Sequence, residues 1–308
     1  MKKNARKPRV AIVGATGLVG RAFARVLTER NINAEYILFN TKGGAEVEIC
    51  GQTLVTLALT EDSARATKVD YALFSAGGDV SLKYSPIFAS NGAVVIDNSS
   101  AFRRDADKIL CVPECNAGEL ALIKDSAIIA NPNCTTIAAV VALKPLDDAF
   151  TLTRVVYSTY QAISGAGDNP QFKYPIENNV ITHIDGEEEK MVFETRKILG
   201  RENIGVSSTC IRVPVKNCHT ISINAEFPKP VDIEVAKNLL RTAPGVVFLE
   251  EGVLPMPINA DNKDEVFVGR LRVDESRPNA INMVVVADNV RKGAATNAVQ
   301  ILECLIRS

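Results

Sequence analysis

Residues 10–20 read VAIVGATGLVG, an apolar run followed by glycines at positions 14, 17 and 20. The run predicts a buried β-strand over Arg9–Val13, and the next residues predict a helix with Phe23, Val26 and Leu27 on its apolar face. Glycines between a strand and a helix let the backbone approach a pyrophosphate, and the helix N-terminus supplies unpaired N–H groups and a positive dipole end. The stretch therefore predicts a dinucleotide-binding turn, with a glycine-rich turn that binds no ligand as the alternative.

The alternation of strand and helix continues through the first half of the chain. Further strands are predicted over Glu35–Phe39, Tyr71–Phe74, Ala93–Ile96 and Ala127–Ala130. Short strands that end in small residues, with helical patterns between them, are typical of an α/β fold with a parallel, doubly wound sheet of the Rossmann type. Ligands of such sheets bind beyond the carboxyl ends of the strands.

From about Arg154 the pattern changes to alternation of apolar and polar residues, which is typical of a half-exposed antiparallel sheet. The alternation is seen over Arg154–Ala162, Ser208–Val213, Thr220–Glu226 and Ala280–Ala287. A charged helix is predicted over Glu187–Leu199, with inner positions Met191, Val192, Thr195 and Ile198. An alanine-rich helix over Gly293–Ile306 is expected to return to the first domain.

The two patterns together predict two domains, which a length of 308 residues accommodates. Residues 1–133 with 289–308 are expected to form the dinucleotide-binding domain. Residues 134–288 are expected to form an α+β domain with a mostly antiparallel sheet.

Composition and charge exclude several functional classes. Lys and Arg number 35 against 36 Asp and Glu, so no basic stripe is expected and nucleic acid is not a predicted partner. No apolar run approaches the ~20 residues that a membrane span requires. The seven cysteines are odd in number and lack zinc-site spacing, because Cys111 and Cys115 have no second pair and no nearby histidine. We therefore predict a reduced, cytoplasmic protein without a metal site.

The end of the second strand bears on the choice between NAD and NADP. An NAD site usually carries Asp or Glu there, which binds the ribose 2′-hydroxyl. Here the strand ends Phe39-Asn40-Thr41-Lys42, with no acid and one cation. A carboxylate would repel a 2′-phosphate, whereas Thr41 and Lys42 would hold it, so this stretch favours NADP. The alternative is that Lys42 is only a solvated loop charge.

Residues 130–136, ANPNCTT, join a buried strand to a helix predicted over Ile137–Leu143. Pro132 ends the strand, so Cys134 falls at the helix N-terminus. The helix dipole and the free N–H groups there stabilise a thiolate, the nucleophilic form of cysteine. A nucleophilic cysteine beside a bound nicotinamide suits acyl transfer coupled to hydride transfer. A buried structural thiol is the alternative interpretation.

Covalent thiol chemistry also requires an acid–base partner, and the chain has two histidines. His219 lies at a predicted strand boundary in the second domain, from which it is expected to face Cys134. His183 lies in a loop-like segment and is predicted to be a surface residue. Arg212 carries a planar guanidinium suited to a substrate carboxylate, with a surface or interface ion pair as the alternative.

Together these stretches resemble the aspartate-β-semialdehyde dehydrogenase family over nearly the whole chain. Ten motifs carry the resemblance, in this order: VAIVGATGLVG (10–20), ALFSAGG (72–78), VVIDNSSAFR (94–103), VPECN (112–116), NPNCTT (131–136), STYQAISGAG (158–167), EEEK (187–190), RVPV with a following histidine (212–219), FVGRLR (267–272) and DNVRKGAA (288–295). The resemblance implies that the second domain serves catalysis and dimerisation and that the protein is a homodimer.

The resemblance also implies roles for residues at matching positions. The implied catalytic residues are Cys134 as nucleophile, His219 as acid–base residue and Gln161, which orients the thioester. The implied substrate contacts are Arg212 at the α-carboxylate, Glu187 at the ammonium group, and Arg103, Asn133 and Lys190 at phosphate. The implied cofactor contacts are Gly14, Thr16, Gly17, Val19, Ser75, Gly77, Ser164, Gly165 and Asn289. Glu187 and Lys190 are three apart on a predicted helix and so share a face, whereas a solvated helix face is the alternative for Glu188 and Glu189.

The implied activity is NADPH-dependent reduction of L-4-aspartyl phosphate to L-aspartate 4-semialdehyde with release of phosphate, in the biosynthesis of lysine (through diaminopimelate), threonine and methionine. One alternative is an N-acetyl-glutamyl-phosphate reductase-like enzyme, whose acetylated substrate amine offers Glu187 no cation. The other is a catalytically silent dinucleotide-binding paralogue, against which the presence of Cys134, Gln161 and His219 argues.

The chain departs from the family pattern at two places. Family members carry a longer helical stretch between the Ser164–Gly167 and Tyr174–Ile176 matches, whereas only Asp168–Lys173 intervenes here. The shorter segment is expected to alter the local covering of the site and part of the subunit contact. Cys218 stands where Gly, Ala or Ser is commoner.

Overall fold

The computed structural model describes residues 6–123, 127–168 and 170–307. By their contacts these residues divide into two compact units. The first comprises the chain up to Pro113, Ala117–Pro132 and the stretch from Ala294 onward, and the second comprises Glu114–Asn116 and Asn133–Gly293. No helix in the described part is both long enough and apolar enough to cross a membrane.

The first unit is built on a six-stranded, fully parallel sheet, which confirms the predicted α/β fold class. Its strands are β1 Arg9–Val13, β2 Glu35–Asn40, β5 Leu57–Ala58, β6 Tyr71–Phe74, β7 Val94–Asp97 and β8 Ile128–Ala130, and a separate hairpin is formed by β3 Glu46–Ile49 and β4 Gln52–Val55. In the sheet the order is β5-β2-β1-β6-β7-β8. Strand β1 is central because its residues 10–13 are wholly apolar and fully buried.

Helices of the first unit connect these strands. They are α1 Leu18–Glu29, α2 Glu61–Ala66, α3 Gly78–Ser90 and the 3₁₀ helix Ala117–Leu122. Between β7 and β8 the chain also forms α4 Pro113–Asn116, most of which belongs to the second unit. As predicted, α1 buries Phe23, Val26 and Leu27. The hairpin, β5 and α2 were not predicted, since each is short and lacks a sustained apolar period.

The second unit combines helices with a six-stranded mixed sheet, in accord with the predicted α+β domain. Its helices are α5 Cys134–Phe150, α6 Glu187–Leu199, α7 Ile233–Thr242 and α8 Pro257–Ala260, with a 3₁₀ turn at Ile163–Ala166. A π-helical turn at Arg291–Ala295 begins in this unit and ends in the first. Its strands are β9 Arg154–Gln161, β10 Gly205–Arg212, β11 His219–Glu226, β12 Val246–Phe248, β13 Val266–Asp274 and β14 Arg277–Ala287. The order β10-β9-β11-β14-β13-β12 has three antiparallel pairs in the middle and a parallel pair at each edge.

Strand β10 runs parallel to β9 although its sequence pattern suggested an antiparallel neighbour. The reason is the connection: α6 lies between β9 and β10 in the chain, and a helical crossover returns a strand parallel to its partner. In α6 itself, Val192 is only half-buried, whereas the charged Glu194 is fully buried. The predicted inner position at Val192 is therefore wrong, and Glu194 occupies the inner face.

The chain ends in α9, Thr296–Arg307, which belongs to the first unit. Arg30, the C-cap of α1, forms an ion pair with Glu303 of α9 at 2.8 Å. The Tyr71 hydroxyl donates a hydrogen bond to the Leu305 carbonyl. These contacts tie α9 to β6 and α1.

Candidate active site

Cys134 is the first residue of α5, as the ANPNCTT stretch predicts. Asn133 caps the helix: its Oδ1 accepts the backbone N–H groups of Thr135 and Thr136 at 3.0 and 3.2 Å. This cap fixes the start of the helix and leaves the Cys134 side chain at the positive end of the dipole. The position stabilises a thiolate.

His219 begins β11 and is buried, and its Nε2 lies 3.2 Å from the Cys134 Sγ. Its Nδ1 accepts the backbone N–H of Ala162 at 3.0 Å. A neutral imidazole whose Nδ1 is an acceptor carries its proton on Nε2, so the N–H of His219 faces the sulfur. Burial, with a further contribution from the positive charge of Arg212, lowers the pKa of His219 from its usual 6.5 to about 3.

Arg212 ends β10 and is also buried. Its Nη1 donates to the Ala162 carbonyl at 2.7 Å. The N–H of Ala162 therefore orients His219 while its C=O orients Arg212. Burial lowers the pKa of Arg212, against the attraction of Cys134 and Glu187.

Glu187 connects the remaining predicted substrate residues of this unit. Its Oε1 binds the Lys190 Nζ at 2.6 Å, and its Oε2 accepts from the Asn133 Nδ2 at 2.9 Å and the Gln161 Nε2 at 3.3 Å. Burial by itself would raise the pKa of Glu187, but the charge and hydrogen bond of Lys190, followed by the two amides, outweigh it and lower the pKa. Glu187 is thus an anion held by three donors.

Asn133 has little hydrogen-bonding capacity left for a ligand. Its Oδ1 caps α5, its backbone N–H donates to the Glu194 Oε2 at 2.7 Å, and one amide hydrogen donates to Glu187. One amide hydrogen remains, so a phosphate contact by Asn133 would be a single hydrogen bond. On α6, the two glutamates that follow Glu187 differ in their surroundings. Glu189 is exposed, but Glu188 accepts the backbone N–H of Cys210 at 3.0 Å, so a merely solvated face does not describe Glu188.

Three predicted cofactor residues lie in the second unit. The Ser164 Oγ accepts from the Asn289 Nδ2 at 2.9 Å, so the turn after β9 is bound to the segment after β14. A Cβ on Gly165 would lie 2.7 Å from the Arg212 Nη1 and 2.8 Å from the His219 Cε1. Any larger residue at position 165 would therefore displace both side chains.

The glycine turn lies in the first unit, between β1 and α1. Gly14 has φ of +86°, and a Cβ there would lie 2.2 Å from the Ser75 carbonyl oxygen. Gly17, the N-cap of α1, is different: its backbone is extended, and a Cβ would meet nothing closer than 3.5 Å. No side chain caps α1, and Thr16 and Val19 flank this end. The open N-terminus therefore fits a dinucleotide phosphate, which approaches Gly17 closely only when no Cβ intervenes.

The remaining predicted residues of the first unit lie at other turns. Thr41 and Lys42 form an exposed bend after β2, where the Asn40 Oδ1 accepts the Lys42 N–H. No ion pair involves Lys42 within the described residues, so its ammonium is available to an anion. Ser75 follows β6, and Gly77, with φ of +85°, is the N-cap of α3.

Arg103 is a buried member of the first unit. Its Nη2 donates to the Asn98 carbonyl at 3.0 Å. The structure thus brings Cys134, His219, Gln161, Arg212 and the Glu187 cluster together in the second unit and places Arg103 and the glycine turn in the first.

Three residues that contact the predicted site were not predicted from the sequence: Ala162, through its peptide groups, Glu194 and Gly293. Gly293 lies against Cys134, since a Cβ at position 293 would be 2.8 Å from the Cys134 Cβ. A backbone role such as that of Ala162 leaves no signal in side-chain identity. Gly293 is in the DNVRKGAA motif, which could have singled it out.

All seven cysteines lie among the described residues and are free thiols. Burial, followed by the charge of Glu114, raises the pKa of Cys115 to about 12. Cys218 has φ of +73°, which explains why a glycine suits this position, and burial raises the pKa of its thiol as well. His183 is exposed and pairs with Asp185 at 3.1 Å, consistent with a surface residue.

Two family models match the chain. "Semialdehyde dehydrogenase, NAD binding domain" matches residues 9–123, and "Semialdehyde dehydrogenase, dimerisation domain" matches residues 143–292. The first unit has a parallel sheet that carries the glycine turn, and the second has a cysteine–histidine pair. Together with the two matching family models, these features define a dinucleotide-binding oxidoreductase of the semialdehyde dehydrogenase class.

Similarity to individual proteins shows to which family of this class the chain belongs. Aspartate-semialdehyde dehydrogenase of Aquifex aeolicus is 45% identical over 334 positions, which cover 97% of this chain and 98% of that relative. The structure of aspartate semialdehyde dehydrogenase II from Vibrio cholerae, complexed with ASA, is 40% identical, with a TM-score of 0.95 and 99% of both chains covered. That of Candida albicans aspartate semialdehyde dehydrogenase with NADP is 25% identical, with a TM-score of 0.85 and 98% and 99% covered. The chain belongs to the aspartate-semialdehyde dehydrogenase family.

Proposed function

We propose that this protein reduces L-4-aspartyl phosphate to L-aspartate 4-semialdehyde, reversibly, through a thioester on Cys134. The observation that carries the proposal is the contact between the Cys134 Sγ and the His219 Nε2 at 3.2 Å, at the N-terminus of a capped helix. The helix end and the Nε2–H donor both favour the thiolate, which is the attacking form. Membership of the family supplies the substrate class.

In the first step the Cys134 thiolate attacks the acyl carbon of aspartyl phosphate. The C–S bond forms, the C–O bond to phosphate breaks, and phosphate leaves with the bonding electrons. Arg212 binds the substrate α-carboxylate and Glu187 its ammonium group. Lys190, Arg103 and the remaining Asn133 N–H bind the departing phosphate, whose charge requires donors of this kind.

In the second step the thioester becomes a thiohemiacetal anion, which expels the Cys134 thiolate to release the aldehyde. When bound, NADPH supplies the hydride for this reduction, and Gln161 holds the thioester in place to receive it. His219 is neutral, with its proton on Nε2, so it acts by donating a hydrogen bond to the sulfur and to the negative oxygen. His219, which the resemblance implies as the acid–base residue, therefore acts in this proposal as a hydrogen-bond donor and does not deprotonate Cys134.

The proposed cofactor is NADP, held by the first domain with the Gly14–Gly17 turn at its pyrophosphate. The Asn40-Thr41-Lys42 bend lacks a carboxylate that would repel a 2′-phosphate. The Candida albicans relative, whose structure contains NADP, agrees with this choice. Thr16, Val19, Ser75, Gly77, Ser164, Gly165 and Asn289 complete the proposed cofactor contacts.

We further propose the functional boundaries 133/134 and 288/289 between the cofactor domain and the catalytic domain. The match to a dimerisation domain supports a homodimer. The proposed place of action is the cytoplasm, which suits seven cysteines that form no disulfide. The proposed pathway is the biosynthesis of lysine, threonine and methionine, as the family resemblance implies.

The test is reduction of NADP⁺ by the purified protein with aspartate semialdehyde and phosphate, compared with N-acetyl-glutamate semialdehyde and phosphate. We expect turnover with the first aldehyde and little with the second, because only the first carries an ammonium group for Glu187. A preference for the acetylated aldehyde would assign the protein to the reductase alternative. Absence of turnover with both would support the silent paralogue.

A further inference from the structure

One buried carboxylate has no part in the proposed chemistry, yet it contacts the residue next to the nucleophile. Glu194 is fully buried, and its Oε2 accepts the backbone N–H of Asn133 at 2.7 Å. We propose that Glu194 is a positioning residue, which places Cys134 for attack by holding the peptide on its N-terminal side. This inference rests on the proposed role of Cys134 as nucleophile.

Two carboxylates of α6 hold Asn133 from the same helix face. Glu187 and Glu194 are seven residues apart, which is close to two helical turns and returns to the same side. Glu187 accepts from the side-chain amide of Asn133, whereas Glu194 accepts from its backbone. Because the Asn133 Oδ1 also caps α5, the residue is fixed at its main chain and at both ends of its amide.

Cys134 has little room to move on the other side. A Cβ on Gly293 would lie 2.8 Å from the Cys134 Cβ, so this segment already touches the nucleophile. The Sγ must remain 3.2 Å from the His219 Nε2 to keep the donor aligned. Misplacement of a reacting group by about 1 Å can cost on the order of a hundredfold in rate. A firm anchor for Asn133 therefore bears directly on the reaction.

Glu194 has two properties, a negative charge and an acceptor oxygen, and the proposal concerns the acceptor, which reaches Asn133. What Glu194 contributes is an oxygen that accepts an N–H, since the first N–H groups of a helix have no partner within the helix. Acceptor and charge can be separated experimentally.

The experiment compares Glu194→Gln with Glu194→Met. Both substitutions remove the charge and nearly keep the volume, but only Gln retains an oxygen for the Asn133 N–H. Two quantities are measured at pH 7: kcat for aspartate semialdehyde with phosphate, and the rate at which iodoacetamide modifies Cys134, followed by mass spectrometry of its peptide. We expect kcat and the alkylation rate of Glu194→Gln to stay within about threefold of the wild type. In Glu194→Met both quantities should fall by at least about tenfold. The KM values for aspartate semialdehyde and for phosphate should change by less than about threefold in either variant.

Thr195→Val is the matched control on the same helix. It removes the buried hydrogen bond between Thr195 and the Tyr157 hydroxyl, 3.2 Å long, and leaves Asn133 untouched. General loosening of α6 would affect this variant as much as Glu194→Met. The positioning role predicts that iodoacetamide modifies Cys134 in Thr195→Val at the wild-type rate.

Equal losses of kcat and alkylation rate in Glu194→Gln and Glu194→Met would show that the charge matters and would overturn the inference. Wild-type values in both variants would also overturn it, as would a loss in Thr195→Val equal to that in Glu194→Met. If Glu194→Met does not fold, Glu194→Gln decides: retention supports the inference, and a tenfold loss in the folded variant contradicts it. Wild-type turnover by Cys134→Ala would instead contradict the proposed function, so the two failures are distinguishable.

Discussion

His219 illustrates how a backbone contact decides the chemistry of a side chain. The Ala162 N–H occupies the Nδ1 lone pair, and the resulting Nε2–H points at the Cys134 sulfur. Protonation of the ring would break the Ala162 contact and place a charge beside Arg212. The ring therefore remains a neutral donor in the folded protein, consistent with its pKa of about 3.

This assignment predicts how the stability depends on pH. In the unfolded chain His219 takes up a proton below about pH 6.5, whereas the folded protein does not until about pH 3. Its contribution to the free energy of unfolding is therefore present above pH 6.5 and is lost as the pH falls toward 3. Between pH 7 and 5 the wild type should lose on the order of 2 kcal/mol more than His219→Gln. The measurement is denaturant unfolding at both pH values.

A His219→Gln variant with the same pH dependence of unfolding as the wild type would contradict this assignment, because it would show that the ring gains a proton equally in the folded and unfolded protein.

Lys190 and Arg212 should separate the two substrates of the reverse reaction, phosphate and aspartate semialdehyde. Lys190→Ala is expected to raise KM for phosphate much more than KM for the semialdehyde, and Arg212→Lys should do the opposite. A lost charge-assisted contact of this kind amounts to about 1.5–3 kcal/mol, roughly ten- to a hundredfold. Steady-state kinetics with Glu189→Ala as an exposed control on α6 provides the test. Equal effects of Lys190→Ala on both substrates would make Lys190 a structural charge.

Among the elements, those with sustained periodicity were predictable and those defined by their partners were not. Strand β1 matches its predicted bounds because residues 10–13 are an unbroken apolar run that is fully buried. Strand β13 was not predicted: Arg270 has φ of +55°, and the register shifts between Gly269 and Arg272, so the alternation is broken. The direction of β10 depends on the crossover through α6, which the two-residue period does not encode.

The bend after β2 carries a prediction about cofactor choice. Lys42→Ala should lower kcat/KM for NADPH by about tenfold and leave that for NADH nearly unchanged, because only NADPH has a 2′-phosphate. The wild type should prefer NADPH. Lys7→Ala is the matched control, since Lys7 is equally exposed but precedes β1, at the opposite ends of the strands. Equal or better kcat/KM with NADH in the wild type would contradict the assignment of Thr41 and Lys42.

The whole chain separates its proposed tasks between two compact units. The glycine turn is in the first, and Cys134 with its partners is in the second. Motifs singled out Cys134 as the proposed nucleophile, His219, Arg212 and the Glu187–Lys190 pair, because each requires a particular side chain. The hydrogen bonds of Ala162 with His219 and Arg212, and that of Asn133 with Glu194, depend on which segments meet in the folded protein, and local sequence patterns do not reveal that.

This separation predicts that cofactor binding survives loss of the nucleophile. Cys134→Ala should abolish turnover but retain NADPH binding, because the proposed phosphate contacts lie in other residues. The thermal midpoint should rise with NADPH concentration in both proteins, since a ligand that binds only the folded state stabilises it. Loss of that rise in Cys134→Ala would tie the cysteine to cofactor binding.

The thioester itself is the central claim, and it can be observed directly. The protein is mixed with aspartate semialdehyde and NADP⁺ in the absence of phosphate, so that the second half of the reverse reaction has no acceptor. We predict rapid formation of about one equivalent of NADPH per active site and an aspartyl adduct on the peptide that contains Cys134. Formation of NADPH with no adduct on Cys134, or an adduct on another residue that supports turnover, would contradict the account.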